Sequence, residues 1–119
     1  MLKKSGEDFG IQTDVVFSSM NQPLGQFSGC WCEVKEAIEC LNGKGPEDTV
    51  ELTLELASKL MVQGKLSNTH SNGRSILNNL LTDGTALSKF IEMVEAQGGD
   101  PNALLNPEKI HIPTEEIVI

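Results

Sequence analysis

The sequence predicts a partial α/β fold: one short central strand, about four amphipathic helices and an extended C-terminal segment. Three observations lead there. Val15-Val16-Phe17 is a β-prone run between Thr13-Asp14 and Ser18-Ser19, and reads as a buried strand. After it, apolar residues recur at helical spacing in four stretches, each closed by glycine or followed by proline. Ile110, Ile112 and Ile117-Val118-Ile119, around Pro113, then read as extended chain. A lone strand cannot satisfy its own edge groups. The layout therefore suggests a section of a larger α/β domain running over 1–119, with a self-sufficient four-helix domain as the alternative that the pattern leaves open.

In chain order, residues 1–10 are polar and read as a connector. Residues 20–31 read as a loop holding Pro23, Gly25 and Gly29. The first helix is expected from about Glu33 to Leu41, with Val34, Ala37, Ile38 and Leu41 as its apolar stripe, and Asn42-Gly43-Lys44-Gly45 as its stop. Pro46 suits the first position of the second helix, and Glu47 and Asp48 place carboxylates at its positive end. Leu52, Leu56, Leu60 and Leu54, Ala57, Met61 give that helix a broad apolar face up to Gly64. Ser67 to Asn72 is a polar connector, and a third helix over 73–82 presents Ile76, Leu77, Leu80 and Leu81. Asp83 caps the fourth helix, whose core side is Ala86, Leu87, Phe90, Ile91 and Val94. Gly98-Gly99 ends it, and Pro101 blocks continuation.

The 119 residues allow one domain, and aromatics at 4% leave an aliphatic core. A net charge of −8, from 9 basic and 17 acidic residues, repels phosphate backbones and argues against a nucleic-acid partner. No stretch approaches the roughly 18 apolar residues of a membrane span, so no membrane partner is expected. Met1-Leu2-Lys3-Lys4 leads into Ser5-Gly6-Glu7-Asp8 without an apolar leader, and three cysteines then imply reduced thiols in the cytoplasm.

Chemistry-bearing residues are sparse. Cys30, Cys32 and Cys40 lack the paired spacing of zinc sites, and read as two loop thiols and one small core residue. His70 falls in a polar connector and His111 in the tail, both as surface residues. Ser18, Ser19 and Ser28 sit in no nucleophile elbow. Gly25-Gln26-Phe27-Ser28-Gly29 precedes a helix start, where an anion can bind, but it has no lysine and is followed by Glu33, Glu36 and Glu39. No catalytic residue and no residue binding an organic cofactor is assigned.

Five blocks carry a resemblance. They are Met20-Asn21-Gln22-Pro23-Leu24-Gly25, Glu33-Val34-Lys35-Glu36-Ala37-Ile38, the Leu41-x-Gly43-x-Gly45-Pro46-Glu47-Asp48 turn, Glu51-Leu52, and Ala96-Gln97-Gly98-Gly99-Asp100-Pro101. In order and spacing they resemble the pyrimidine-nucleoside phosphorylase family, which includes the thymidine phosphorylases, from about Gly10 to the end of the chain. The resemblance is to an interior section of the family's central α/β catalytic domain, of nucleoside phosphorylase/phosphoribosyltransferase type. It implies an intact protein that converts a pyrimidine nucleoside and phosphate to free base and pentose 1-phosphate. The family's phosphate loops, catalytic His and base-holding Arg, Ser and Lys have no counterpart here, so this chain is expected to supply scaffold and not the catalytic groups. Residues 107–119 would begin the link to a C-terminal domain. Nucleoside and phosphate would bind only to the intact enzyme, and the expected partner is the remainder of the phosphorylase or a second copy. The resemblance further implies a potassium site formed by the backbone carbonyls of Leu24 and Phe27 and the carboxylate of Glu36. The chain departs from the family pattern at Ser19, at Phe27, and at Cys30-Trp31-Cys32, where the family usually has Asn-Ala-Leu. A non-catalytic helical interaction module derived from the same fold is the alternative function.

Overall fold

The computed structural model of the chain describes residues 1–106. The expected extended tail, with His111 and the isoleucines from Ile110 onward, lies outside the described residues, as does the expected link over 107–119. Six helices follow in order: α1 (Leu2–Asp8), α2 (Cys30–Leu41), α3 (Glu47–Gln63), α4 (His70–Thr82), α5 (Thr85–Ala96) and α6 (Pro101–Leu105).

The expected central strand is not formed. Residues 11–20 carry no regular structure, and no strand occurs among the described residues. Val15 and Phe17 are 47% and 95% exposed. A strand exists only where a neighbour accepts and donates its ladder bonds, and none of the described residues offers one. The segment is tied down instead by a side chain: Gln63 Nε2 donates to Asp14 Oδ2 at 2.8 Å. What the described residues form is therefore helix-rich, without the β half of an α/β fold.

Local chemistry sets several of the helix starts. α2 begins three residues before Glu33, because Gly29 (φ 121°) serves as its N-cap. The Gly29 N–H donates to Glu33 Oε1 at 2.9 Å, and the Gly29 carbonyl accepts from the Glu33 N–H at 2.9 Å. Cys30 and Cys32 thus lie in the first turn of a helix, not in a loop. Pro46 is the N-cap of α3 rather than its first helical residue, and Glu47 and Asp48 occupy the first turn as expected. α4 starts at His70, earlier than the apolar spacing indicates, because Thr69 caps it by accepting the Asn72 N–H at 3.2 Å. Asp83 Oδ1 accepts the Thr85 N–H at 2.8 Å at the head of α5. That bond holds the Asp83 carboxyl below its ordinary pKa.

Two polar-looking ends are helical against expectation. The N-terminal connector forms α1, which buries nothing and carries an exposed Lys3–Glu7 pair at 3.8 Å. α5 ends before Pro101 as expected, and Pro101 itself opens the separate short helix α6. At the first helical position proline has no hydrogen bond to lose, and Asp100 accepts the Asn102 N–H at 2.9 Å beside it.

Packing is concentrated between α3 and α4, with lesser contact from α4 to α5, α5 to α6 and α2 to α5. Leu54 (3% exposed) and Ser58 (2%) are the buried residues of α3, and Gly73 is that of α4. The helices meet closely there: a Cβ on Gly73 would lie 3.3 Å from Met61 Cβ and 3.4 Å from the Ser58 carbonyl oxygen. The expected broad face of α3 is only half used. Leu54, Ala57 and Met61 turn inward, whereas Leu56 and Leu60 are 46% and 65% exposed. On α2 the stripe is also displaced, with Ala37 exposed and Glu36 buried.

The molecule is open for its size. Its radius of gyration is 17.1 Å, against about 13.5 Å for a compact domain of this length. Its accessible surface is 9172 Å², where a compact monomer of this mass exposes about 6,300 Å². Among the described residues only Leu54 and Leu104 are buried apolar side chains.

Candidate functional site

A polar arrangement joins the loop around Gly25 to the middle of α2 and the start of α3. Glu36, on α2, is buried at 6% exposure. Its Oε2 accepts the Gln26 N–H at 2.7 Å and the Phe27 N–H at 3.1 Å. From α3, Asp48 Oδ2 accepts the Gly25 N–H at 3.0 Å, while Oδ1 accepts the Thr49 N–H at 2.8 Å. Two carboxylates from two helices therefore grip three consecutive loop amides. Each carboxylate finds donors in the backbone, so a buried charge and three loop N–H groups satisfy one another.

Gly25 is required by this geometry twice over. Its φ is +77°, in the left-handed region that side chains avoid. A Cβ there would fall 1.9 Å from Glu36 Oε1.

The Gly25 N–H is the main cause that holds the Asp48 carboxyl below its ordinary pKa of 3.8, with the Thr49 N–H and hydroxyl acting the same way. A carboxyl whose pKa is depressed by folding stabilises the fold above its unfolded value, and loses that contribution as pH falls through the folded one. The hold of Asp48 on the loop is therefore complete above pH 3.8 and is released as the solution becomes more acid. The Gly25 amide resonance should shift with pH only below that value, and Asp48→Asn should abolish the shift.

Cys40 lies on the same side of α2. A Cβ on Gly45 would sit 2.1 Å from its Sγ. Burial raises the pKa of the thiol above 9.0, and the charges of Glu36, Glu39 and Asp48 raise it further. Cys40 is thus a protonated, partly buried packing residue at neutral pH. Cys30 and Cys32 are exposed and free.

Of the residues expected to hold potassium, the structure brings Phe27 and Glu36 together directly, through the Phe27 N–H. Leu24 adjoins this clamp and, with Ser18 to Pro23, Asp48 and Leu52, lines an open depression of about 860 Å³. The groups facing Glu36 Oε2 are amides, and a cation is held by oxygens. The carboxylate half of the expected set is in place, while the hydrogen bonds to Oε2 use N–H groups and not the carbonyls of Leu24 and Phe27. Among the described residues, no group of three His, Cys, Asp or Glu is placed to hold a metal. His70 is an exposed first residue of α4. Ser18, Ser19 and Ser28 are exposed in the long loop. Asp48 completes this site, although from sequence alone it reads only as a charge at a helix end.

No family model matches the sequence. Curated relatives do. The chain is 43% identical over 112 residues to a pyrimidine-nucleoside phosphorylase of Staphylococcus haemolyticus, covering 94% of this chain and 26% of that protein. It is 43% identical over 105 residues to the pyrimidine-nucleoside phosphorylase of Bacillus subtilis, covering 88% and 24%. With that of Staphylococcus aureus the identity is 38% over 105 residues, again 88% and 24%. The chain therefore spans about a quarter of the length of the relatives it matches. Over nearly its whole length, the chain is a relative of one section of the pyrimidine-nucleoside phosphorylases.

Proposed function

We propose that this chain is a supporting section of a pyrimidine-nucleoside phosphorylase, from the interior of its central α/β domain. The reaction of the whole enzyme would be phosphorolysis of a pyrimidine nucleoside to free base and pentose 1-phosphate. The observation that carries this reading is the match itself, which takes in almost the whole chain and only about a quarter of each relative. Phosphorolysis stabilises an oxocarbenium-like sugar between a bound phosphate and donors on the departing base. In this reading the groups for those tasks belong to the other three quarters. The chain contributes the α3–α4 pair and the clamped loop that precedes α2. The three free cysteines suit a reducing cytoplasm. No described helix is long and apolar enough to cross a membrane.

Grafting tests the reading. Replacing the matching section of the Bacillus subtilis enzyme with this chain should leave a folded protein that still cleaves pyrimidine nucleosides. A folded chimera without turnover would show that the section carries chemistry of its own.

A potassium site at Leu24, Phe27 and Glu36 belongs to the same proposal. Its support is the burial of Glu36 against the loop that contains the other two residues. Calorimetric titration with potassium chloride should then give heat that Glu36→Gln removes; heat unchanged by that substitution would dismiss the site.

A further inference from the structure

Two Asn-Gly pairs occur in the sequence, Asn42-Gly43 and Asn72-Gly73, and the fold places them in opposite surroundings. A glycine amide has no side chain beside it, so in such a pair it is free to attack the carbonyl of the asparagine side chain. Asn42 is the C-cap of α2, at φ −92° and ψ 6°, and both it and Gly43 are exposed. Two backbone bonds close the turn. The Gly43 N–H donates to the Cys40 carbonyl at 3.0 Å and the Lys44 N–H to the Glu39 carbonyl at 2.9 Å, with Gly43 in the left-handed region at φ +70°. A helix end of this kind opens locally at little cost. Asn72 lies instead in the first turn of α4. The Gly73 N–H donates to the Thr69 carbonyl at 2.9 Å, and Gly73 is buried against Met61 and Ser58 of α3. Turning that amide toward the Asn72 side chain requires unwinding the start of α4 and parting it from α3.

We propose that Asn42 is a site of spontaneous covalent modification, converted through a cyclic imide to isoaspartate, and that the fold withholds Asn72 from the same reaction. When the last turn of α2 opens, the Gly43 amide gives its proton to solvent base and its nitrogen bonds to Asn42 Cγ. The Cγ–Nδ2 bond breaks and ammonia leaves. Water then opens the imide. Cleavage at Cγ gives aspartate, and cleavage at the main-chain carbonyl carbon gives isoaspartate. The net change is amide plus water to acid plus ammonia, with no other reactant. The imide nitrogen carries no hydrogen, so the bond to the Cys40 carbonyl is lost as the ring forms. Isoaspartate then adds a methylene to the main chain of a turn in which Gly45 packs closely on Cys40, where a Cβ would lie 2.1 Å from Sγ. It also sets a carboxylate at the negative end of α2, one turn from Glu39. Both effects loosen the turn that covers Cys40. The inference is independent of the phosphorylase reading, since it concerns the chemistry of this chain alone.

The full chain, aged in mildly alkaline buffer and then digested, is mapped by mass spectrometry for the mass gain of an amide turned to an acid. Isoaspartate is identified in the same peptides with an isoaspartyl carboxyl methyltransferase and labelled S-adenosylmethionine. In the folded chain Asn42 should convert at least about tenfold faster than Asn72, and in concentrated urea the two rates should become similar. Asn42→Gln, which must close a larger ring, should remove most of the isoaspartate formed by the folded chain. Iodoacetamide should alkylate Cys40 faster in the isoaspartyl form than in the parent. Equal rates at Asn42 and Asn72 in the folded chain overturn the proposal. So does a preference for Asn42 that persists in urea, because the selectivity would then lie outside the fold. Unchanged alkylation of Cys40 overturns the loosening of the turn.

Discussion

Leu54→Ala is expected to destabilise the chain by about 2–5 kcal/mol, the range for removing a large aliphatic side chain from a packed site. The value should fall toward the upper end. Leu54 is one of two buried apolar side chains among the described residues, so little else can collapse into the space it leaves. Gly73→Leu attacks the same seam from the other helix. With the Cβ position already 3.3 Å from Met61 Cβ, the rest of the side chain must push α4 away from α3, at a cost of about 1–3 kcal/mol. Leu66→Ala is the control: Leu66 is 71% exposed, and its loss should change stability by less than about 0.5 kcal/mol. Urea denaturation followed by helical circular dichroism reads all three. Equal effects for Leu54→Ala and Leu66→Ala would mean that the α3–α4 seam does not hold the fold.

Glu36→Leu should release the loop from α2. It removes charge-assisted hydrogen bonds to the Gln26 and Phe27 amides, a type worth about 1.5–3 kcal/mol to stability. Glu36→Gln keeps an acceptor oxygen at the same reach and should cost less. Gly25→Ala should mimic Glu36→Leu while Glu36 itself is retained, since the added Cβ collides with Glu36 Oε1 and the φ of Gly25 is unfavourable for alanine. Hydrogen exchange at residues 25–27 gives the readout. Fast exchange in Glu36→Leu and Gly25→Ala, with slower exchange in the parent and intermediate exchange in Glu36→Gln, is the expected order.

What the sequence could and could not show divides along the range of the interactions. The breaks of α3, α4 and α5 were legible, because caps and terminators are local: Asp83, Gly64, Gly84 and the Gly98-Gly99 pair act within a turn or two. The inward side of α5 was legible for the same reason, since Ala86, Leu87, Phe90, Ile91 and Val94 are its less exposed residues. The start of α2 is hidden because its cap, Gly29, reads as loop until Glu33 closes onto it. The Val15-Val16-Phe17 strand was expected on β propensity, which states only that a run would suit a sheet. Whether a sheet exists depends on a partner that propensity does not supply.

The site shows the same division. Glu36 entered through the family resemblance and not through its own spacing, which would have left it as a solvated helix residue. Nothing local marks it as buried; the cause is the loop 9 and 10 residues upstream that folds back onto it. Asp48 was legible as an acid at a helix start. Its bond to Gly25 spans 23 residues, and no helical or strand period connects the two. The outward turn of Leu56 and Leu60 is equally hidden, since a broad leucine-rich face does not say which of its leucines a neighbour covers.

The most direct check on the central claim is phosphorolysis by the isolated chain. Purified protein incubated with thymidine or uridine, with and without inorganic phosphate, should release no free base beyond the protein-free blank. Base release that requires phosphate and rises and falls with this chain through successive chromatographic steps would contradict the claim, because the reactive groups would then have to lie within these residues.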